Sequence, residues 1–507
     1  MIARGHGRVD PAADVYVIHD PQPAGMIGAL AATGCLTTWR CHIGSEGSSP
    51  AADAAWAFLA PYIEPADAAV FSLRAYVPAF LADRAFIHAP GIAPLSSKNT
   101  DLPLDEIVSI LERAALVAAP LDEARDECGA TDAPFLARAS VYSGAATGWG
   151  AVSCACERGE LLGAAGGRSI RRARSCATHA ASVEAECANA LCDLCTRLPR
   201  TVPLLWRPCI TQVSRWDRLK GWRDLLSGFL ALKSSHGAAA PWLAHAAGGK
   251  RAERDRAART ICNAALVLAG PDPSGVTDDP EGEEVMVLAS HRCTHTILTT
   301  PDAHPEPKVL ADLIAAFDAL PPAASRDIFI VVLPMVSSEE NALMVNALQR
   351  ASAVLVQASS REGYGLTVGE ARFKRKPVVV TEAAAGLRSQ VVDGLDGILI
   401  RGRSDAGAPA PAAVAAALAT ALVNRAVRAA IAVNGESKTV RGGLIYNQIS
   451  RWLGLLAAVL PAARGEERAE KIRALSRAVR AGEADEDASR AAAAAAAAAK
   501  AGSAAGA

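Results

Sequence analysis

The sequence predicts an α/β protein in which two Rossmann-like domains face one cleft. Short apolar segments that are typical of strands alternate with stretches of helical spacing, and this alternation occurs in both halves of the chain. The predicted strands are residues 14–18, 68–73, 85–88, 209–213, 264–268, 328–333, 353–357, 377–380 and 397–400. The predicted helices lie near residues 104–117, 219–233, 308–319, 339–350, 366–374 and 411–431. Since ligands bind where parallel strands end, the turns after these strands are the expected place for a site.

The chain is predicted to contain two domains, residues 1–125 and 207–462, separated by a disordered insertion at 126–206. The insertion is rich in Ala, Gly, Arg, Ser and Cys and shows no clear periodicity. A second inserted loop is expected at 234–259. Residues 463–507 combine a charged helical pattern with a nine-alanine run, which predicts a helical tail that frays into a flexible terminus.

Composition limits the class of protein. The chain has 507 residues, 51% of them hydrophobic, so it is long enough to bury sizeable cores. Its formal net charge of −1 argues against binding of nucleic acid or an anionic membrane. The N-terminus lacks the apolar region of a secretory signal, and no apolar run reaches the roughly 18 residues of a membrane span. These features predict a cytoplasmic protein.

Half of the twelve cysteines fall in the first insertion. They are Cys154, Cys156, Cys176, Cys187, Cys192 and Cys195. A structural zinc site usually needs two well-spaced pairs, which this cluster does not show. We therefore expect reduced thiols, no bound metal and no cofactor.

The segment 360–399 carries the clearest candidate site. Glu362 and Glu370 lie around a glycine turn, Gly363 to Gly365, that opens a predicted helix. The start of a helix presents free backbone N–H groups and the positive end of the helix dipole, which suit phosphate or hydroxyl oxygens. Both carboxylates can therefore face one cleft and accept hydrogen bonds from different hydroxyls of a sugar nucleotide. A capped surface helix with two solvated glutamates is the simpler alternative.

This segment resembles the donor-binding segment of retaining glycosyltransferases of the GT-B type, which consist of two Rossmann-like domains. Five further segments, in the same order along the chain, resemble trehalose synthases and the related retaining trehalose phosphorylases. They are His19–Pro23 with Trp39–His42, Pro94–Ser96 with Lys98–Asn99, Gln212–Asp217 with Lys220–Gly221, Asp278–Gly282, and Val345–Arg350. The resemblance covers most of 14–118 and, with interruptions, 207–401. It implies chemistry at the anomeric carbon of an α-glucosyl unit.

The resemblance assigns roles to individual residues on the donor side. Glu362 is expected to contact hydroxyls of the transferred glucose, and Glu370 the ribose of a nucleotide. Arg215 and Lys220, after the strand ending at Val213, are placed where the leaving phosphate lies. The backbone of Gly363, Tyr364 and Gly365 approaches the sugar, and Arg361 adds a second positive charge.

On the acceptor side, Asp20 and Gln22 are expected to bind glucose hydroxyls, and Trp39, Arg40 and His42 to complete the wall.

The predicted activity is transfer of glucose from a nucleoside-diphosphate glucose to glucose, which gives trehalose. A trehalose phosphorylase, with trehalose and phosphate as substrates, is one alternative. A non-catalytic sugar- or nucleotide-binding protein is another, because no glycine-rich loop precedes the strand leading to His19, where the family has one. Ala93, at a position where the family has aspartate, is a smaller departure. The donor nucleobase is open, and a homodimer is the default expectation.

Overall fold

A computed structural model describes residues 15–44, 46–47, 49–114, 140–143, 207–234, 251–273, 305–402, 409–460 and 465–505. The strands are β1 (Val15–His19), β2 (Leu36–Arg40), β3 (Ala68–Phe71), β4 (Ala85–Ile87), β5 (Ser140–Ser143), β6 (Cys209–Val213), β7 (Ala265–Pro271), β8 (Ile328–Leu333), β9 (Val354–Gln357), β10 (Val378–Thr381) and β11 (Ile398–Ile400). The helices are α1 (Ile27–Ala32), α2 (Pro50–Ile63), α3 (Leu104–Arg113), α4 (Trp222–Ser234), α5 (Arg251–Asn263), α6 (Pro305–Asp318), α7 (Pro322–Ser325), α8 (Ser338–Ala351), α9 (Leu366–Phe373), α10 (Ala385–Arg388), α11 (Pro411–Val423), α12 (Arg425–Gly442), α13 (Ile445–Val459) and α14 (Glu466–Ala505).

The first sheet has four parallel strands in the order β1-β2-β3-β4. Side chains alternate between its two faces, as the period of a strand requires. Trp39 and Phe71 point to the face covered by α1 and α2. Val70 and Phe86 point to the opposite face, where they meet Leu455 of α13, and Ile472 of α14 packs in the same cluster. Both faces of this sheet are therefore buried, which suits parallel strands.

The second sheet has seven strands in the order β11-β10-β9-β6-β7-β8-β5, and only the edge strand β5 runs antiparallel to its neighbour. One face packs against α4, α5, α6 and α11. The other face packs against α3 and α8 beside β6, β7 and β8, and against α9 beside β9, β10 and β11. The strand order reverses at β6, so β6 and β9 end side by side and leave a crevice at their carboxyl ends.

The predicted fold class is confirmed, because both halves are Rossmann-like α/β units built on parallel strands. The sequence does not predict two of these strands. The strand β2 overlaps the Trp39–His42 motif, and β5 falls inside the segment that the sequence predicts to be disordered. The helix α5 likewise occupies part of the predicted inserted loop at 234–259. The remaining parts of both predicted insertions lie outside the described residues.

The structure departs from the predicted domain boundaries at two places. Helix α3, assigned to the first domain, packs its apolar face on the second sheet through Ile110 and Leu111. Helix α13, assigned to the second domain, instead covers the first sheet, and the first part of α14 joins it there. An amphipathic pattern shows that a helix has a buried face, but it does not show which sheet that face meets.

Among the described residues no single helix has the length and hydropathy of a membrane span. The helices α11 and α12 meet this criterion only when taken together, and they are bent by 90° where they join.

A buried charge cluster holds the starts of three strands together. Arg207 donates to Asp327, and Lys233 lies 2.9 Å from the same carboxylate. Arg207 also donates to the carbonyl oxygens of Asn263 and Ala264, so the cluster joins the residues that precede β6, β7 and β8. Burial lowers the pKa of Lys233, while the charge of Asp327 opposes that shift.

We expect Asp327→Ala to destabilise the protein by about 3–5 kcal/mol, because two cations would remain buried without their carboxylate. The control is Asp101→Ala. Asp101 also pairs with an arginine, Arg350, but its side chain is 94% exposed, so we expect a loss below about 1 kcal/mol. Urea unfolding of both variants measures the difference, and equal losses would contradict a structural role for the buried cluster.

Candidate functional site

The centre of the candidate site is an ion pair between the two residues that sequence reasoning placed on the donor side. Lys220 Nζ lies 2.7 Å from Glu362 Oε2, and the two side chains are only 16% and 18% exposed. Lys220 ends a 3₁₀ turn after β6, and Glu362 lies in the loop after β9. Because β6 and β9 are neighbours, the strand order itself brings the two residues together.

The turn that carries Lys220 is held by its own contacts. Gln212 in β6 donates from its amide to the carbonyl oxygen of Lys220 and accepts from the N–H of Ala358. Gly221 follows with φ of +64°, and a Cβ there would lie 2.2 Å from the carbonyl oxygen of Ala358. Only glycine fits this close approach in the left-handed region. The position of Lys220 is therefore fixed by the ends of both strands.

The glycine loop between β9 and α9 is clamped on its backbone. The carbonyl oxygen of Glu362 accepts from the hydroxyl of Tyr76 at 3.0 Å and from the N–H of Gly386 at 3.3 Å. Gly386 has no room for a side chain, because a Cβ would lie 2.4 Å from that carbonyl oxygen. Gly365 precedes α9 with φ of +86° and provides no side-chain cap. In the described residues the N–H of Val368 donates to the carbonyl oxygen of Gly365, whereas the N–H groups of Leu366 and Thr367 are available to a ligand.

Tyr76 belongs to the first half of the molecule, so this hydrogen bond spans the cleft. Burial and the negative charges of Glu46 and Glu362 raise the pKa of Tyr76 to about 12, which keeps its hydroxyl a donor at neutral pH. A second link is the ion pair between Arg388 and Glu46 at 2.7 Å. The backbone of His42 also approaches Gly363, whose Cβ position is 3.6 Å from the His42 oxygen. His42 and Glu46 therefore lie on the side of the cleft that faces the glycine loop and α10.

The acceptor-side residues divide into two groups. The side chains of His42 and Gln22 are exposed. His42 stacks on His19 with ring centroids 5.1 Å apart, and His19 Nδ1 lies 2.8 Å from His42 Nε2. Burial, with the positive charges of Arg40 and His19, lowers the pKa of His42. These exposed groups can reach a ligand.

The other acceptor-side residues serve the fold. The carboxylate of Asp20 accepts from the His42 N–H at 2.8 Å, and its carbonyl oxygen accepts from the indole of Trp39 at 3.0 Å. Trp39 is 1% exposed and packs edge-on against Phe71. The prediction that Trp39 forms part of a ligand wall is therefore corrected to a core position. Arg40 is also 1% exposed. It lies beneath Ser72 and donates to the hydroxyl of Ser72 at 3.1 Å.

Glu370 is buried rather than open to the mouth of the cleft. Its carboxylate lies 3.0 Å from Lys98 Nζ and accepts from the Gln349 amide at 3.2 Å. Lys374, one turn further along the chain, donates to Gln349 and to Asn99. A ribose contact at Glu370 would thus require Lys98, whose side chain is 41% exposed, to move aside.

Arg215 and Arg361 are exposed at the edges of the same region, Arg215 after β6 and Arg361 at the start of the glycine loop. Tyr364 and the glycines lie as predicted in the turn before α9. The motif 278–282 lies outside the described residues. Sequence reasoning did not identify Tyr76 or Lys374; Tyr76 stands in a segment without any motif, so no signal there points to the loop that it holds.

In the part of the chain that the structure describes, no group of three or more His, Cys, Asp or Glu residues could hold a metal ion. The six clustered cysteines of the first insertion lie outside those residues.

Comparison with known proteins supports the resemblance read from the motifs. Residues 4–78 match the family described as "Trehalose synthase, N-terminal domain". The chain is 27% identical over 394 residues to the trehalose synthase of Pyrococcus horikoshii, which covers 78% of this chain and 58% of that protein. It is 35% identical over 105 residues to the trehalose synthase of Rubrobacter xylanophilus, covering 20% and 24% of the two chains. The chain thus spans less than two thirds of the length of the relatives it matches.

Two solved structures show likeness at a lower level. A trehalose-phosphate synthase from Burkholderia vietnamiensis aligns over 90% of this chain and 74% of its own, at 16% identity and a TM-score of 0.45. The Anabaena protein HepE in complex with UDP-glucose aligns over 87% and 78%, at 12% identity and a TM-score of 0.46. Likenesses this weak carry no information about ligand or reaction.

The network around Glu370 gives the protein a predictable pH dependence. Burial lowers the pKa of Lys374 to about 7, with Lys98 and Arg350 adding to the effect and Glu370 opposing it. An unfolded lysine titrates near pH ~10.4. Between these two values the unfolded state binds more protons, so Lys374 makes the free energy of unfolding rise with pH, by up to about 1.4 kcal/mol per unit.

We therefore expect wild type to gain stability relative to Lys374→Met as the pH is raised from neutral to alkaline. Urea unfolding of both proteins across that range measures the difference. Lys376, whose pKa burial lowers to about 8, is present in both proteins, so its contribution cancels. Parallel stability profiles would show that Lys374 does not titrate in this window.

Proposed function

We propose that this chain, similar over most of its length to trehalose synthases, transfers an α-glucosyl unit from a nucleoside-diphosphate glucose to glucose and yields trehalose with retention of configuration. The observation that carries the proposal is the Lys220–Glu362 pair at the carboxyl ends of β6 and β9, next to the free helix start after Gly365. This geometry places a cation, a carboxylate and backbone donors around one volume.

The parts of the site suit the charge that develops in the reaction. The leaving diphosphate gains negative charge as the glycosidic bond breaks, so a fixed cation and backbone N–H groups stabilise the transition state more than the ground state. Lys220 has three ammonium hydrogens, and its bond to Glu362 uses one of them. The others can donate to a phosphate oxygen while Glu362 keeps Lys220 oriented and accepts from glucosyl hydroxyls.

The exposed acceptor-side groups fit a neutral sugar. His42 and Gln22 supply ring nitrogen and amide partners for hydroxyls, and Asp20 positions His42 through its backbone N–H. Arg215 and Arg361 stay assigned to the phosphate side, where their exposure lets them reach a bound diphosphate. Cytoplasmic location and a homodimer stay predictions.

The test of the proposed function is to incubate the purified chain with glucose and UDP-, ADP- or GDP-glucose, and to examine the products by NMR. We expect α,α-trehalose from at least one donor, since NMR reports both the linkage and the anomeric configuration. Absence of product with all three donors would contradict the synthase and favour the alternatives.

We expect Lys220→Met to lower kcat by about 10²- to 10³-fold, the loss typical of removing one donor to a developing negative charge. The matched control is Lys471→Met, which removes an exposed lysine on α14. Thermal melting of each variant checks that it folds. An unchanged kcat in Lys220→Met would show that this ammonium does not serve the leaving group.

A retaining trehalose phosphorylase is the second candidate, and Glu370 separates the two. Its carboxylate is already satisfied by Lys98 and Gln349, an arrangement that serves the fold without any ribose. If Glu370 binds ribose, Glu370→Gln should lower the rate with a nucleotide sugar by about tenfold or more and leave phosphorolysis unchanged. Equal effects on both rates would instead assign Glu370 to positioning of α9.

A further inference from the structure

The cleft between the two halves extends beyond the Lys220–Glu362 pair. It has a volume of about 1100 Å³ and is lined by the ends of β3 and β4, by α9 and α10, and by α12, α13 and α14. None of the residues assigned above to donor chemistry except Tyr364 lines this part. The space is large enough for a ligand of several rings or groups.

Two residues that line this space, Ser72 and His88, lie beside the buried Arg40 because three neighbouring strands end together. Arg40 ends β2, Ser72 directly follows β3, and His88 directly follows β4. The N–H of His88 donates to the carbonyl oxygen of Phe71, and Arg40 donates from Nη2 to the hydroxyl of Ser72. All three are at most 4% exposed, although two of them are polar groups that can carry charge. The carboxyl edge of a parallel sheet is the usual place for a ligand.

The buried polar atoms of this group lack partners in the described structure. These atoms are Nδ1 of His88 and both Nε and Nη1 of Arg40. Burying such groups without a hydrogen bond is costly, and a buried cation without a counter-ion more so. Asp20 is the one carboxylate whose charge raises the pKa of Arg40, and burial outweighs it. The guanidinium of Arg40 therefore lacks both hydrogen-bond acceptors and a counter-ion, and a negatively charged ligand would supply them.

A fourth group comes from the opposite wall. Trp452 of α13 packs edge-on against His88 with ring centroids 5.0 Å apart, and Arg451 is next to it in the chain and exposed to the cleft. Burial, together with the positive charges of Arg40 and Arg451, lowers the pKa of His88 to about 4, so its ring is neutral at pH 7. The neutral ring carries one N–H group, which can donate to an anion.

The other charges in the cleft do not supply that anion. Its lining carboxylates are already paired, Glu46 with Arg388, Asp393 with Arg401 and Glu483 with Arg74. We call the group of Arg40, Ser72, His88 and Arg451 the cationic cluster. It carries positive charge, and in the described residues neither of its arginines forms a salt bridge with a carboxylate.

We propose that the cationic cluster is a phosphate subsite, at which Ser72, His88 and Arg451 contact a phosphoryl group and the buried Arg40 supplies charge from beneath Ser72. A phosphate monoester or inorganic phosphate offers the several acceptor oxygens and the negative charge that these donors match. The subsite is separate from the diphosphate position at Lys220 and does not rest on the transfer reaction proposed above.

Calorimetric titration of the full chain with glucose 6-phosphate, inorganic phosphate and glucose tests the subsite. We expect at least one phosphate ligand to bind, and Arg451→Gln and His88→Leu each to weaken it by about tenfold or more, the usual effect of losing a donor to a charged group. Neither variant should change the binding of glucose. Tighter binding of glucose 6-phosphate identifies a sugar phosphate as the ligand, and equal binding identifies phosphate itself.

The matched control is Arg425→Gln, which removes an exposed arginine at the far end of α12, about 20 Å along the helix from Lys438, the nearest residue of α12 that lines the cleft. If His88→Leu fails to fold in a melting experiment, the exposed Arg451 decides alone. Absence of binding by both phosphate ligands, or equal binding by Arg451→Gln and Arg425→Gln, would overturn the proposal.

Discussion

Glu362 lies where the two halves of the molecule meet across the candidate site, and the site depends on how this residue is held. Its carboxylate pairs with Lys220, while its carbonyl oxygen accepts from Tyr76 of the first half and from Gly386 of the second. Backbone and side chain are thus fixed by different partners. A loop that carries ligand groups can be accurate only when such contacts restrict it, since a displacement of about 1 Å is enough to lower a rate substantially.

The same residue shows why both sheets are needed. The second sheet alone supplies Lys220, the glycine loop and the free start of α9. The half built on the first sheet supplies Tyr76 and His42, whose backbone approaches Gly363, and α13 and α14 cover that sheet. Since the helices that follow the second sheet complete the core of the first, the two halves are joined at a second place away from the cleft.

Much of this arrangement could be predicted from the sequence, and the reasons for the exceptions are physical. Apolar runs such as Ile328–Leu333 are buried on both faces and read directly as strands. The segment that forms β2 contains two threonines and an arginine, so its composition does not indicate a buried strand, although all five of its residues are buried. Lys220 and Glu362 could be paired only through the resemblance, because 142 residues separate them in the chain. The prediction that Trp39 and Arg40 contact the sugar is wrong for a related reason. A motif marks a position in the chain, and burial decides whether the side chain at that position can reach a ligand.

In the proposed reaction, Glu362 contacts the glucosyl unit and not the nucleotide. Calorimetric binding of UDP-glucose and of UDP to wild type and to Glu362→Gln tests it most directly. We expect the substitution to weaken the binding of UDP-glucose by about tenfold, the usual effect of losing a charge-assisted hydrogen bond. The binding of UDP should stay unchanged, because the amide oxygen of Gln still accepts from Lys220. Equal weakening of both ligands would contradict it and would place Glu362 among the residues that merely hold Lys220.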